Sequence, residues 1–250
     1  MRARAPQRQA QALVLLLLGG AVVRAAVTGA STRYVKDGLR PFLIVAGVLL
    51  LATAATTFWY DVRRPTDDEQ DDHHPHDHHP HDHGHVPRVG WLLLLPVVGL
   101  VLVAPPALGS YSAVQAGSVL AGPGAGADYA PLPPGDPASV PVLDYAARAV
   151  YDAGRTLRGR DLQLTGFVIP GPDGGPALAR IVLSCCAADG RPVKVGLSGN
   201  APTGVPSNTW VTVRGSYDSA VGRDPVNGAP VPYLRVTGWE QTAEPGQPYE

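Results

Sequence analysis

Apolar positions follow two patterns along the chain. In the first 109 residues they form long unbroken runs, and beyond residue 137 they alternate with polar ones. The runs are "ALVLLLLGGAVVRAAVTGA" over 12–30, "PFLIVAGVLLLATAATTFWY" over 41–60 and "VGWLLLLPVVGLVLVAPPALG" over 89–109. An apolar stretch of roughly 20 residues spans a bilayer as a helix, so the pattern predicts about three N-terminal transmembrane helices. The first run follows Arg2, Arg4 and Arg8, and Arg24 sits near its far end, within snorkelling reach of the headgroups. A basic start and a leucine cluster also begin a signal peptide. Here the apolar run continues to Thr28, the length of a retained span. The second run carries no charge and ends in Trp59 and Tyr60, followed by Arg63 and Arg64, as at a membrane boundary. The third starts at Arg88 and Trp91, contains Pro96 and is stopped by Pro105 and Pro106.

Residues 110–136 are rich in Gly, Pro and Ala and read as a linker. A soluble domain follows over 137–243, with a tail at 244–250. It opens with "SVPVLDYAARAVYDAG", in which Ser139 is a candidate N-cap and Gly154 a candidate stop. Leu143, Ala146, Ala147, Val150 and Tyr151 share one helical stripe. Five strand-like stretches come next: "DLQLTGFVI", "ALARIVLSCC", "RPVKVGL", "NTWVTVRGSY" and "VPYLRVTGWE". In the third of these, Val193, Val195 and Leu197 face one way and Lys194 the other. The fold class expected is therefore an α + β membrane protein, with a small antiparallel barrel of the OB type after the helices. A β-sandwich fragment is the alternative.

Charge settles orientation and excludes one partner class. The formal net charge is -1, which gives no electrostatic footing for nucleic acid. With three spans, Arg2, Arg4, Arg8, Arg63, Arg64 and Arg88 share one side of the bilayer, and Arg33, Lys36 and Arg40 the other. The positive-inside rule then places the N-terminus in the cytoplasm and the soluble domain outside.

All eight histidines lie in the loop over 65–87: His73, His74, His76, His78, His79, His81, His83 and His85. Interleaved aspartates add oxygen donors, and imidazole suits zinc, copper and nickel. The stretch has no apolar periodicity, so it offers many interchangeable ligand sets and no preorganised centre. It reads as a flexible cytoplasmic zinc buffer or sensor, or as a polar spacer.

The two cysteines are adjacent, in "SCCAADG". On a regular strand Ile181, Leu183 and Cys185 point one way and Arg180, Ser184 and Cys186 the other, so the sulfurs diverge. They converge only where the strand breaks, and "AADG" is a turn signal. Three readings stand. Cys185 is a small buried hydrophobe beside a half-exposed Cys186; or Cys185, Cys186 and Asp189 form a metal or redox site; or the pair closes a strained vicinal disulfide.

The stretches "GFVI", "VLSCCAADGRPV", "WVTVRGSY" and "RVTGWEQ", after N-terminal spans and a His/Asp-rich loop, resemble the YcgQ-like family of uncharacterised bacterial membrane proteins. The "CCAAD" core, Cys185 to Asp189, is the most specific part of the resemblance. It implies a multi-pass protein of the bacterial cell membrane that partners a multispan permease, with a link to zinc homeostasis, and it implies no reaction. The residues agree with a non-enzymatic role. Three spans without an inverted repeat or paired intramembrane charges make a poor pathway alone. A thiol oxidoreductase lacks its Cys-X-X-Cys, and a hydrolase lacks a histidine base in the soluble domain. The alternative to a permease subunit is a membrane-anchored metal-binding or metal-sensing protein.

Overall fold

The computed structural model describes residues 4–63, 98–99, 106–120 and 128–250. The histidine loop and nearly all of the third apolar run lie outside the described residues. Two compact units are formed, one by residues 1–31 and 38–105 and the other by Thr32–Asp37 with Pro106–Glu250.

The first unit is a helical pair, α1 (Arg4–Thr28) and α2 (Arg40–Arg63). Among the described residues these two helices are long and apolar enough to cross a membrane. Their outer faces carry Leu16, Phe42, Val45, Leu49 and Phe58, all more than half exposed. Small residues set the contact between them. A Cβ on Gly47 would stand 2.6 Å from Val23 Cγ2, and one on Gly19 would stand 3.0 Å from the Gly47 carbonyl oxygen. Such close approach gives van der Waals contact where lipid offers no hydrophobic drive. Arg40 closes the end of α1 by donating from Nε to the Ala26 carbonyl at 2.8 Å.

The second unit is a closed five-stranded barrel. Its strands are β2 (Leu162–Pro170), β3 (Pro176–Val182), β4 (Arg191–Gly199), β5 (Trp210–Arg223) and β6 (Pro230–Gln241). A short β1 (Ala138–Ser139) lies parallel to β2. The order β2-β3-β4-β6-β5 closes because β5 also pairs with β2, from Leu162 opposite Gly215 to Phe167 opposite Trp210. The sheet is not wholly antiparallel: β4 and β6 run parallel, with Gly196 opposite Tyr233. Closing the ring in this order brings these two strands together in the same direction. All five expected strands form, but β3 stops at Val182, short of the cysteines.

Helix α4 (Val142–Tyr151) packs on the main core through Val142, Tyr145, Ala146 and Ala149. That face is rotated from the expected stripe: Leu143, Val150 and Tyr151 are only half-buried. The cap also differs from expectation. Pro141, not Ser139, occupies the N-cap. The Glu250 carboxylate accepts from the Val142 and Leu143 N–H groups, each at 2.9 Å. A negative charge is well placed at a helix N-terminus, where the amides have no intrahelical acceptor. Gly154 does sit just past the helix, at φ +67°.

A second apolar cluster lies on the other face of β2 and β3 and contains Phe167, Ile169, Ile181, Leu183, Trp210 and Tyr249. The expected linker and tail belong to it. Helix α3 (Ser110–Gln115) buries Ala113 there. Residues 249 and 250 run beside β3, with Leu183 N–H donating to Glu250 O at 3.0 Å and Glu250 N–H to Ile181 O at 2.9 Å. Lys194 does not point to solvent. It is buried, with Nζ 2.8 Å from Asp224 Oδ2 and 2.9 Å from the Ala116 carbonyl. A buried ammonium requires such partners, and these tie the 116–118 segment to the barrel.

Candidate metal centre

The chain leaves the sheet after Val182 and re-enters it at Arg191. Between them lies a single turn of 3-10 helix, Ala187–Asp189, with Cys186 as its N-cap. Asp189 folds back over the residues before the turn. Its Oδ1 accepts from Ser184 N–H at 2.9 Å, and its Oδ2 from Cys185 N–H at 2.8 Å and Cys186 N–H at 3.4 Å. Three successive amides thus aim at one carboxylate. In a strand successive N–H groups point to opposite edges, so this convergence is the strand break. Gly190 stands at the exit, where a Cβ would lie 2.6 Å from Leu108 Cδ1 and displace that side chain.

The break brings the two sulfurs together at 3.6 Å. The ligand atoms of Cys185, Cys186 and Asp189 all lie within 4.8 Å of one another. Both thiols are free, with Cys185 exposed and Cys186 half-buried. The buried-hydrophobe reading of Cys185 is therefore overturned, because the turn carries that side chain off the β3 face. Tetrahedral zinc–thiolate bonds of about 2.3 Å place two sulfurs roughly 3.8 Å apart, whereas a linear arrangement would need about 4.6 Å. The observed spacing fits the tetrahedral edge.

The electrostatics couple the two side-chain types. Hydrogen bonding from the Cys185 thiol and from the amides holds the Asp189 carboxyl down at about 2. The Asp189 carboxylate, with the Cys186 sulfur second, favours the protonated form and pushes the Cys185 thiol up to about 11. Ionising Cys185 would lose the bond to the carboxylate and set a second negative charge beside it. At neutral pH the metal-free turn holds a protonated Cys185, a poor nucleophile. A divalent cation reverses that balance by replacing the proton and neutralising both charges. Because the Asp189 value is depressed, its contribution to the turn is full above the ordinary carboxylate range and is lost as pH falls towards 2.

The structure brings Cys185, Cys186 and Asp189 together as one group. The eight histidines lie outside the described residues. The sequence pattern did not reveal a third partner, the connection between α1 and α2. Val35 forms an antiparallel bridge with Cys186, Lys36 N–H donates to Cys185 O at 3.0 Å, and Ala187 N–H donates to Tyr34 O at 2.7 Å. The one available signal was the strand-like "RYVK" between two helices.

Comparison with protein families bears on the whole chain. The DUF1980 N-terminal domain matches residues 10–118, and the DUF1980 C-terminal domain matches residues 145–250. The chain carries both domains of the DUF1980 family. This is an uncharacterised family, and its C-terminal domain includes the cysteine turn and nearly all of the barrel. Comparison with curated proteins and with solved structures gives no match.

The pairing of Cys185 with Asp189 has a measurable consequence. In a Cys186→Ser background, Asp189→Asn should return the Cys185 thiol towards its ordinary value. Alkylation by iodoacetamide at pH 7.5 should then accelerate about tenfold, after allowing for the lower nucleophilicity of a less basic thiolate. Equal rates in the two proteins would show that the carboxylate does not hold the thiol proton.

Proposed function

We propose that this DUF1980 protein is a non-enzymatic, membrane-anchored metal-binding protein that serves as accessory subunit of a multispan permease in zinc handling. The carrying observation is the exposed dithiol with its sulfurs 3.6 Å apart beside Asp189. The raised thiol argues for binding over redox or nucleophilic chemistry. Exposure leaves coordination positions open, so the metal can be exchanged with a second donor set. The barrel is of the OB type on this reading, supported by its five-strand closure and its parallel β4–β6 pair.

Topology supports a third crossing. Residues 32–37 belong to the same compact unit as the barrel, which supports a reading with both on one side of the membrane. In this reading α2, which ends at Arg63, crosses to the opposite side, and the chain belongs to the barrel's unit again from Pro106. On this reading the apolar run over 89–109 supplies the third crossing. The positive-inside rule then puts the barrel and its site outside and the histidine loop in the cytoplasm.

The metal site is tested with cobalt, whose thiolate charge-transfer absorption reports sulfur ligation separately from histidine. The full chain in detergent should show the band, and the Cys185→Ser/Cys186→Ser double variant should lose it. A wild-type titration without the band would remove the dithiol as a ligand.

The topology is tested in the same double variant by adding Ser219→Cys, an exposed position at the register shift of β5. A membrane-impermeant maleimide should label this cysteine in intact cells. Labelling only after lysis would place the barrel in the cytoplasm.

Crosslinking in intact cells followed by purification should recover a multispan permease in near-equal amount. Recovery of this chain alone would leave the metal-binding reading without the permease.

A further inference from the structure

We infer that the connection between α1 and α2 is a working part of the metal centre: residues 32–37 set the approach of the two sulfurs, and a metal bound there is in turn felt by that connection. The inference rests on the reading of Cys185 and Cys186 as metal ligands.

The peptide group between the two cysteines is the shortest covalent path between their sulfurs. Its orientation decides whether the two Cβ atoms diverge, as on a strand, or lean to one side. Both of its polar atoms are held. The Cys185 carbonyl accepts from Lys36 N–H at 3.0 Å, and the Cys186 N–H donates to Asp189 at 3.4 Å. Asp189 therefore fixes one edge of this peptide and Lys36 the other. The bond from Ala187 N–H to Tyr34 O, at 2.7 Å, holds the next peptide, and Val35 stands opposite Cys186 between the two bonds. The connection thus grips the cysteine pair on both flanks by backbone alone, which makes its effect independent of the side chain at position 36.

The connection is itself anchored. The Tyr249 hydroxyl donates to the Arg33 carbonyl at 2.8 Å and accepts from Leu108 N–H at 2.8 Å. Thr32 Oγ1 donates to the Gly246 carbonyl at 3.2 Å. A strap with fixed footing can impose a geometry on the turn. By linkage, a metal that favours that geometry also favours the strap's attachment, to the same degree. The strap continues directly into α1, which ends at Thr28, and α2, which begins at Arg40.

Lys36→Pro deletes the amide donor and leaves the rest of the strap in place. Val35 is already in an extended bridge, a conformation that a following proline accepts. In the full chain, this variant should bind cobalt at the dithiol about tenfold more weakly, as when a partner that orients a ligand is lost. Lys36→Ala, which keeps the amide, should bind as wild type. Reciprocally, cobalt should slow amide exchange at Lys36 and Ala187 several-fold in the wild type and not in the Cys185→Ser/Cys186→Ser variant. If the thiolate band forms in wild type but exchange at Lys36 and Ala187 is unchanged, the strap is not part of the centre and the metal site stands. Unaltered cobalt affinity in Lys36→Pro would likewise exclude the strap and leave the metal site in place. No thiolate band in wild type overturns both the centre and the strap.

Discussion

Strand β2 is occupied on all four sides. One edge pairs with β3 and the other with β5, which is the contact that closes the barrel. Leu162 and Leu164 enter the main core, while Phe167 and Ile169 enter the second cluster with Trp210 and Tyr249. A closed sheet has no exposed edge to satisfy or protect. A strand buried on both faces must read as a nearly continuous apolar run, and "GFVI" does so. Because β2 has this second face, α3, the 106–108 segment and residues 249 and 250 have an apolar surface to cover.

That outer cover makes the cysteine turn a defined object. Residue Glu250 joins three parts of the unit: its backbone pairs with Ile181 and Leu183, its carboxylate caps α4, and it lies 3.4 Å from the buried Arg180 guanidinium. Arg180 also stands over the Trp210 ring at 5.0 Å. Immediately beyond Leu183 the chain is released from the sheet into the turn. A rigid sheet end and a carboxylate that gathers three amides leave the cysteine pair little freedom. Preorganisation of this kind distinguishes a metal centre from a flexible ligand-rich loop.

The histidine run and the cysteine turn therefore differ as candidate donor sets. The histidine run holds eight histidines in sequence and lies outside the described residues. The cysteine turn offers few donors in a set geometry, on a domain whose core is independent of them.

Much of the architecture was legible locally. The apolar runs marked α1 and α2, alternation marked the five strands, and "SCCAADG" marked the three residues that the turn assembles. Other features ran against the local pattern. Alternation separated the two sulfurs, yet the carboxylate of Asp189 brings them together. Alternation set Lys194 opposite Val193, Val195 and Leu197, and it did not show that Asp224 and the Ala116 carbonyl hold the ammonium inside. The stretch over 244–250 read as a tail because it has no periodicity, yet it covers the second cluster. The sequence by itself determined the two long helices, the helix over 142–151 and the five strands, since those follow from the spacing of apolar and polar side chains. Only the tertiary structure decided that residues 34–36 hold the cysteine turn. Those bonds join backbone groups, which every residue type carries, across a separation that no local pattern records.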